Sequence, residues 1–147
     1  MAALLLDTNV LVALFSADHS HHSVAQKWFR EHEKKGWATC PFTQTGFVRL
    51  LSNPSVAKTA VPPAEAIAVL EENIQTPHHE FWPDDIPLVK AVAPLISGLQ
   101  GHRQITDAYL LGLAMHRKGK LATFDRSIAA LLPEGKRKND WIVELST

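Results

Sequence analysis

Short continuous apolar runs alternate along the chain with longer segments whose apolar residues recur every three or four positions. The runs read as strands buried on both faces, and the segments as amphipathic helices. Residues 2–6 form the first run, and residues 10–15 begin a helix directly after it. Ser20 can cap a helix over about residues 21–34, with Gly36 as its stop. Residues 37–40 form a second strand, closed by Pro41. Thr43 can cap a helix through about residue 52, ended by Asn53-Pro54. Pro62-Pro63-Ala64-Glu65 opens a helix to about residue 75, since proline suits a first turn. A third strand is expected at residues 79–82, then a turn at Pro83-Asp84-Asp85 and a helix over about 87–96. A polar loop at 97–104 leads into a helix from Ile105 to about residue 118, with Gly119 just past its end. Residues 120–124 are a fourth strand, 127–132 a short helix, 136–140 a basic loop and 141–145 a final strand.

Strands alternating with helices predict an α/β fold: a twisted, mostly parallel sheet flanked by helices on both faces. Such sheets place their sites beyond the carboxyl ends of the strands. The 147 residues fit one domain, 1–147, long enough to bury a real core. With 15 basic and 15 acidic residues the formal net charge is zero, so any contact with nucleic acid must come from a local patch. The lone Cys40 excludes an internal disulfide and a Cys-rich zinc site. The first apolar run is too short to span a bilayer and lacks a basic leader, so a cytoplasmic protein with no membrane contact is expected.

Asp7 follows the first strand, and Asp125 follows the fourth in LATFDRS. Both fall at the carboxyl edge. Asp107 lies in the first turn of TDAYLLGLAMHRKG, with Leu110, Leu111 and Ala114 at i+3, i+4 and i+7. It heads the apolar stripe instead of facing away from it. Gln44 repeats the pattern with Phe47, Val48 and Leu51. Carboxylates packed together repel and have raised pKa values. A hard cation resolves this, and Mg²⁺ prefers carboxylate oxygens while keeping several waters.

The pieces LLLDTNVLVALF, CPFTQTGFVRLL, HRQITDAYLLGLA and LATFDRS, in that order, resemble the PIN-domain nucleases, particularly the VapC-type toxins of bacterial toxin–antitoxin pairs. The resemblance implies a PIN-like three-layer α/β/α fold. It also implies an acidic pocket that binds Mg²⁺ or Mn²⁺ and hydrolyses RNA, a cognate antitoxin, and a homodimer. The family's acids match Asp7, Asp107 and Asp125; Thr8 and Asn9 match its small polar residues after the first acid, and Thr123 the one before the last. Where the family has Glu, this chain has Gln44. Asp7, Asp107 and Asp125 are thus the expected metal ligands, with Gln44 positioning water. The alternative is a PIN-like domain that binds RNA or protein without cutting it.

RNA must also be held. His102, Arg103 and Gln104 precede Asp107, Arg126 follows Asp125, and Lys136, Arg137 and Lys138 form a run. Arg103 and Arg126 are the candidates for phosphate contact, by their adjacency to the acids. The aromatic residues Trp28, Phe29, Phe42 and Phe47 are expected in the core, and the paired histidines 78–79 on the surface. A Gln side chain removes one negative charge from the site. The Gln44→Glu variant should therefore bind Mg²⁺ more tightly than the parent in a calorimetric titration.

Overall fold

The computed structural model of the protein describes residues 3–146. Five strands form one sheet: β1 (Leu4–Leu6), β2 (Trp37–Thr39), β3 (His79–Phe81), β4 (Lys120–Thr123) and β5 (Ile142–Glu144). Their order is β3-β2-β1-β4-β5, and every neighbouring pair is parallel. Ala2, expected in the first strand, lies outside the described residues.

Alternation along the strands sends side chains to two cores. Leu5, Ala38 and Leu121 pack on one face against α5 (Leu88–Val92) and α6 (Ile105–His116). Leu6, Trp37 and Ala122 pack on the other, against α1 (Thr8–Phe15), α3 (Pro41–Leu51) and α4 (Pro63–Ile74), with Ala25 of α2 (His22–His32). Burial on both faces explains why these strands read as unbroken apolar runs. The chain winds from β1 outward to β3, then returns to lay β4 on the opposite side of β1. The β1/β4 seam is therefore the point where strand order reverses, the place where such sheets bind their ligands, beyond the carboxyl ends.

Several boundaries differ from the sequence expectation. Helix α1 begins at Thr8, because Asp7 itself is the cap. Ser20 does not cap α2; His21 takes that place without a side-chain bond, and a 3₁₀ turn at Glu33–Lys35 follows the helix before Gly36, at φ 96°. Helix α3 starts at Pro41, and Thr43 is its third residue: its hydroxyl accepts from Cys40 N at 3.0 Å and donates to Cys40 O at 3.2 Å. Gln44 thus sits a turn inside the helix. Proline 94 lacks the N–H an α-helix needs, and the 87–96 segment divides into α5 and a 3₁₀ stretch, Ala93–Gly98. A 3₁₀ turn at His102–Gln104 occupies the end of the expected polar loop, another at Arg126–Leu131 replaces the short helix, and α7 (Lys138–Trp141) takes the end of the basic loop and the first residue expected in the final strand.

The left-handed residue after α6 is Lys118, at φ 57°, not Gly119. Gly119 N then donates to Ala114 O at 2.8 Å, closing the helix. Glycine is required at 119 for space: a Cβ would lie 2.5 Å from Ala3 O and 2.8 Å from the Trp82 ring. Phe47 is fully buried and Trp28 and Phe29 are half-buried, but Phe42 is 46% exposed on the first turn of α3.

Gly112 sets how closely α6 approaches α5, since a Cβ there would fall 2.1 Å from Ala91 O. The Gly112→Ala variant is expected to lose about 3 kcal/mol in urea unfolding, with the midpoint lowered and the slope unchanged.

Candidate active site

Asp7 extends the β1/β4 seam by one residue, with its N–H donating to Ala122 O at 2.9 Å. The residue is 6% exposed. Oδ1 accepts from Thr8 N at 2.7 Å, and Oδ2 accepts from the Thr123 hydroxyl at 2.7 Å. Burial nevertheless pushes its pKa above the usual carboxylate value; the two hydrogen bonds pull it down, and the Asp125 charge adds to the rise. An acid with two good donors and a raised pKa is a charge short of compensation.

Asn9 braces the same corner. Its Oδ1 accepts from Phe124 N at 3.3 Å, and its Nδ2 lies 3.4 Å from Thr123 Oγ1. Thr123 Oγ1 also accepts from Asp125 N at 3.0 Å. One buried hydroxyl therefore ties the end of β1 to the end of β4. Asp125 is half-buried and caps the following 3₁₀ turn, accepting from Ser127 N at 2.8 Å and Ser127 Oγ at 2.6 Å through Oδ1. That local bonding engages one carboxylate oxygen of Asp125.

Asp107 arrives from the third direction, on the first turn of α6. Its carboxyl is pushed up to about 6, first by burial, then by the charges of Asp7 and Asp125. These mutual effects place the three acids in one neighbourhood. They do not close into a cage: among the described residues no three His, Cys, Asp or Glu side chains are grouped tightly enough to hold an ion unaided. An all-oxygen, open, acidic set fits a hard cation that retains its own waters, as Mg²⁺ does.

Gln44 stands apart from this network in its bonding. Its Nε2 donates to Thr39 Oγ1 at 3.0 Å, at the carboxyl end of β2, and the side chain lines a groove with Thr45, Val48, Arg49 and Ile67. Thr8 packs against α3 nearby, since a Cβ on Gly46 would meet its hydroxyl at 2.8 Å. Arg103 and Arg126 are exposed beside Asp107 and Asp125 in the chain, and among the described residues neither joins an ion pair. The 136–138 basic run is placed differently. It precedes β5, the edge strand, and Lys138 pairs with Glu144 at 3.3 Å while Lys136 lies 5.5 Å over Trp141.

Sequence reasoning missed Thr39 and His79, which together hold Gln44: Thr39 Oγ1 and His79 Nε2 are 2.8 Å apart. His79 is half-buried rather than free on the surface, and its ring stands edge-on to Trp37. No local pattern marks these residues, because strand pairing alone makes them neighbours.

The PIN domain family model matches residues 4–131. Ribonuclease VapC39 of Mycobacterium tuberculosis (strain ATCC 25618 / H37Rv) is 45% identical over 125 residues, covering 85% of this chain and 90% of that protein. Ribonuclease VapC38 of the same strain is 45% identical over 127 residues, covering 86% and 88%. The crystal structure of VapBC2 from Rickettsia felis bound to a promoter DNA fragment superposes with a TM-score of 0.66 at 13% identity, over 99% of this chain and 100% of that one.

Asp107 ionised is a cost to the metal-free fold. Its folded pKa of about 6 exceeds the ordinary 3.8, so the cost is full above pH 6 and vanishes below about 4. In chelator at pH 7.5 the Asp107→Asn variant should melt roughly 2–4 °C higher than the parent, and the gap should close near pH 4.

Proposed function

The chain belongs to the PIN-domain family, and from that premise we propose that it is a divalent-metal-dependent endoribonuclease, the toxin of a toxin–antitoxin pair. The observation that carries this reading is the convergence of Asp7, Asp107 and Asp125 at the β1/β4 seam, where burial and mutual repulsion raise the Asp7 and Asp107 pKa values. Such a site is uncomfortable when empty of cations and suited to holding one. The relatives named as ribonucleases support RNA as the substrate.

Asp7 and Asp107 would hold Mg²⁺ or Mn²⁺, directly or through water, and Asp125 would orient the attacking water with the oxygen that Ser127 leaves free. A cation bound there would supply Lewis-acid activation of water and neutralise charge on the scissile phosphate. Thr8 and Thr123 fix both oxygens of Asp7, which sets the direction of its lone pairs. Asn9 keeps Thr123 in place by bracing the backbone at Phe124. Arg103 and Arg126, exposed on either side, contact backbone phosphates and contribute affinity without reading sequence. Gln44 would position water.

The whole chain acts as one PIN domain. Its partners are RNA, a cognate antitoxin and a second copy of itself. The exposed apolar residues Phe42, Leu88, Val89 and Ile105 give such protein partners a surface. The cytoplasm is the proposed location; among the described residues no helix is long and apolar enough to cross a membrane. Binding of RNA or protein without cleavage is the competing reading, and one assay separates them.

The parent protein should cleave structured RNA with Mg²⁺ or Mn²⁺ and stop when a chelator is added. The Asp7→Asn variant should lose at least about 100-fold in rate while keeping its fold by circular dichroism, since asparagine caps α1 as well as aspartate does. Cleavage at the parent rate by that variant would overturn the assignment, and RNA binding with no cleavage by the parent would favour the competing reading.

A further inference from the structure

Gln44 is held by a chain of polar groups that crosses the sheet to β3. Gln44 Nε2 lies 3.0 Å from Thr39 Oγ1, which lies 2.8 Å from His79 Nε2. Thr39 is fully buried, and Trp37 fixes the plane of the His79 ring at a centroid distance of 4.7 Å.

Such a chain can run in either direction. A hydroxyl has a single proton to give. If His79 Nε2–H donates to Thr39, the Thr39 proton goes to Gln44, whose amide must then turn its oxygen inward. If Nε2 carries no proton, Thr39 donates to it and accepts from the Gln44 NH₂ group. The Gln44 amide decides between the two. Its Nε2 donates to Thr39 Oγ1, and among the described residues the buried hydroxyl has only His79 Nε2 within reach to take its own proton. A bare Nε2 on a neutral ring leaves the proton on Nδ1. Burial pushes the His79 pKa down, which keeps the ring neutral at pH 7.

We propose that Thr39 and His79 are positioning residues that polarise this chain from His79 to Gln44, so that Gln44 turns its carbonyl oxygen outward and its NH₂ group inward. The last link, that the outward oxygen serves a cation, rests on the nuclease reading above. An outward NH₂ would oppose a cation; an outward carbonyl offers it only acceptor lone pairs. A neutral amide thereby presents the same face that a carboxylate would.

Imidazole ¹H–¹⁵N correlation spectra of the full-length, metal-free protein at neutral pH test the polarity directly. The expected result is a neutral His79 with its proton on Nδ1, and a Gln44 side-chain NH₂ protected from exchange. A neutral His79 protonated on Nε2 would overturn the proposal. Calorimetric Mg²⁺ titrations test the consequence. The Thr39→Val variant should bind Mg²⁺ about three- to tenfold more weakly, and Thr39→Ser, which restores the hydroxyl, should return the parent affinity. Equal affinity in the parent and Thr39→Val, with the spectra otherwise superimposable, would also overturn it. If Thr39→Val does not fold, the spectra of the parent decide alone. If the parent neither binds Mg²⁺ nor cleaves RNA, the nuclease reading fails, and the spectra still decide the direction of the chain.

Discussion

Everything in this molecule turns on keeping the Asp7 carboxylate out of water at the end of β1. Placing an ionised group there is costly unless donors and opposite charge meet it. The Thr8 N–H and the Thr123 hydroxyl meet both oxygens. Neither supplies a full positive charge, so Asp7 stays above its ordinary pKa. Each donor depends on a different part of the fold. Thr8 is the first residue of α1, so capping and site-building are one act. Thr123 reaches Asp7 only because β4 pairs with β1, across 116 residues of chain.

The same deficit of charge links stability to chemistry. Asp107 is brought to the seam by α6, whose Gly112 packs on Ala91 of α5. Burial and the charges of Asp7 and Asp125 raise the Asp107 pKa to about 6. A fold that spends stability to gather acids gains affinity for whatever cation relieves them. Removing an acid therefore relaxes the fold while removing a ligand from the proposed site. Thr123, Asn9 and the cap at Asp125 keep the gathered groups from relaxing by movement instead.

Around this centre the surface is divided. The exposed arginines beside the acids, Arg103 and Arg126, have no ion-pair partner among the described residues. Lys138 and Lys136, next to β5, are engaged, with Glu144 and with the Trp141 ring. Zero net charge thus leaves unpaired cations next to the acids in the chain, available to a polyanion.

By itself the sequence determined the alternation of strands and helices, the burial of both sheet faces and the helix period that turns Asp107 inward. These are short-range properties, set by periodicity and by caps within a few residues. The three acids and the fold class were legible on that basis. Boundaries shifted where two local signals competed, as at α3, where Pro41 and Thr43 both mark a start, and after α6, where Lys118 rather than Gly119 turned left-handed. What only the tertiary structure decided was which groups answer which. Thr123 beneath Asp7, and His79 behind Thr39 and Gln44, come from strands far apart in the chain. Strand order and register created those contacts, and hydrogen bonds between distant segments leave no mark in the period of either one.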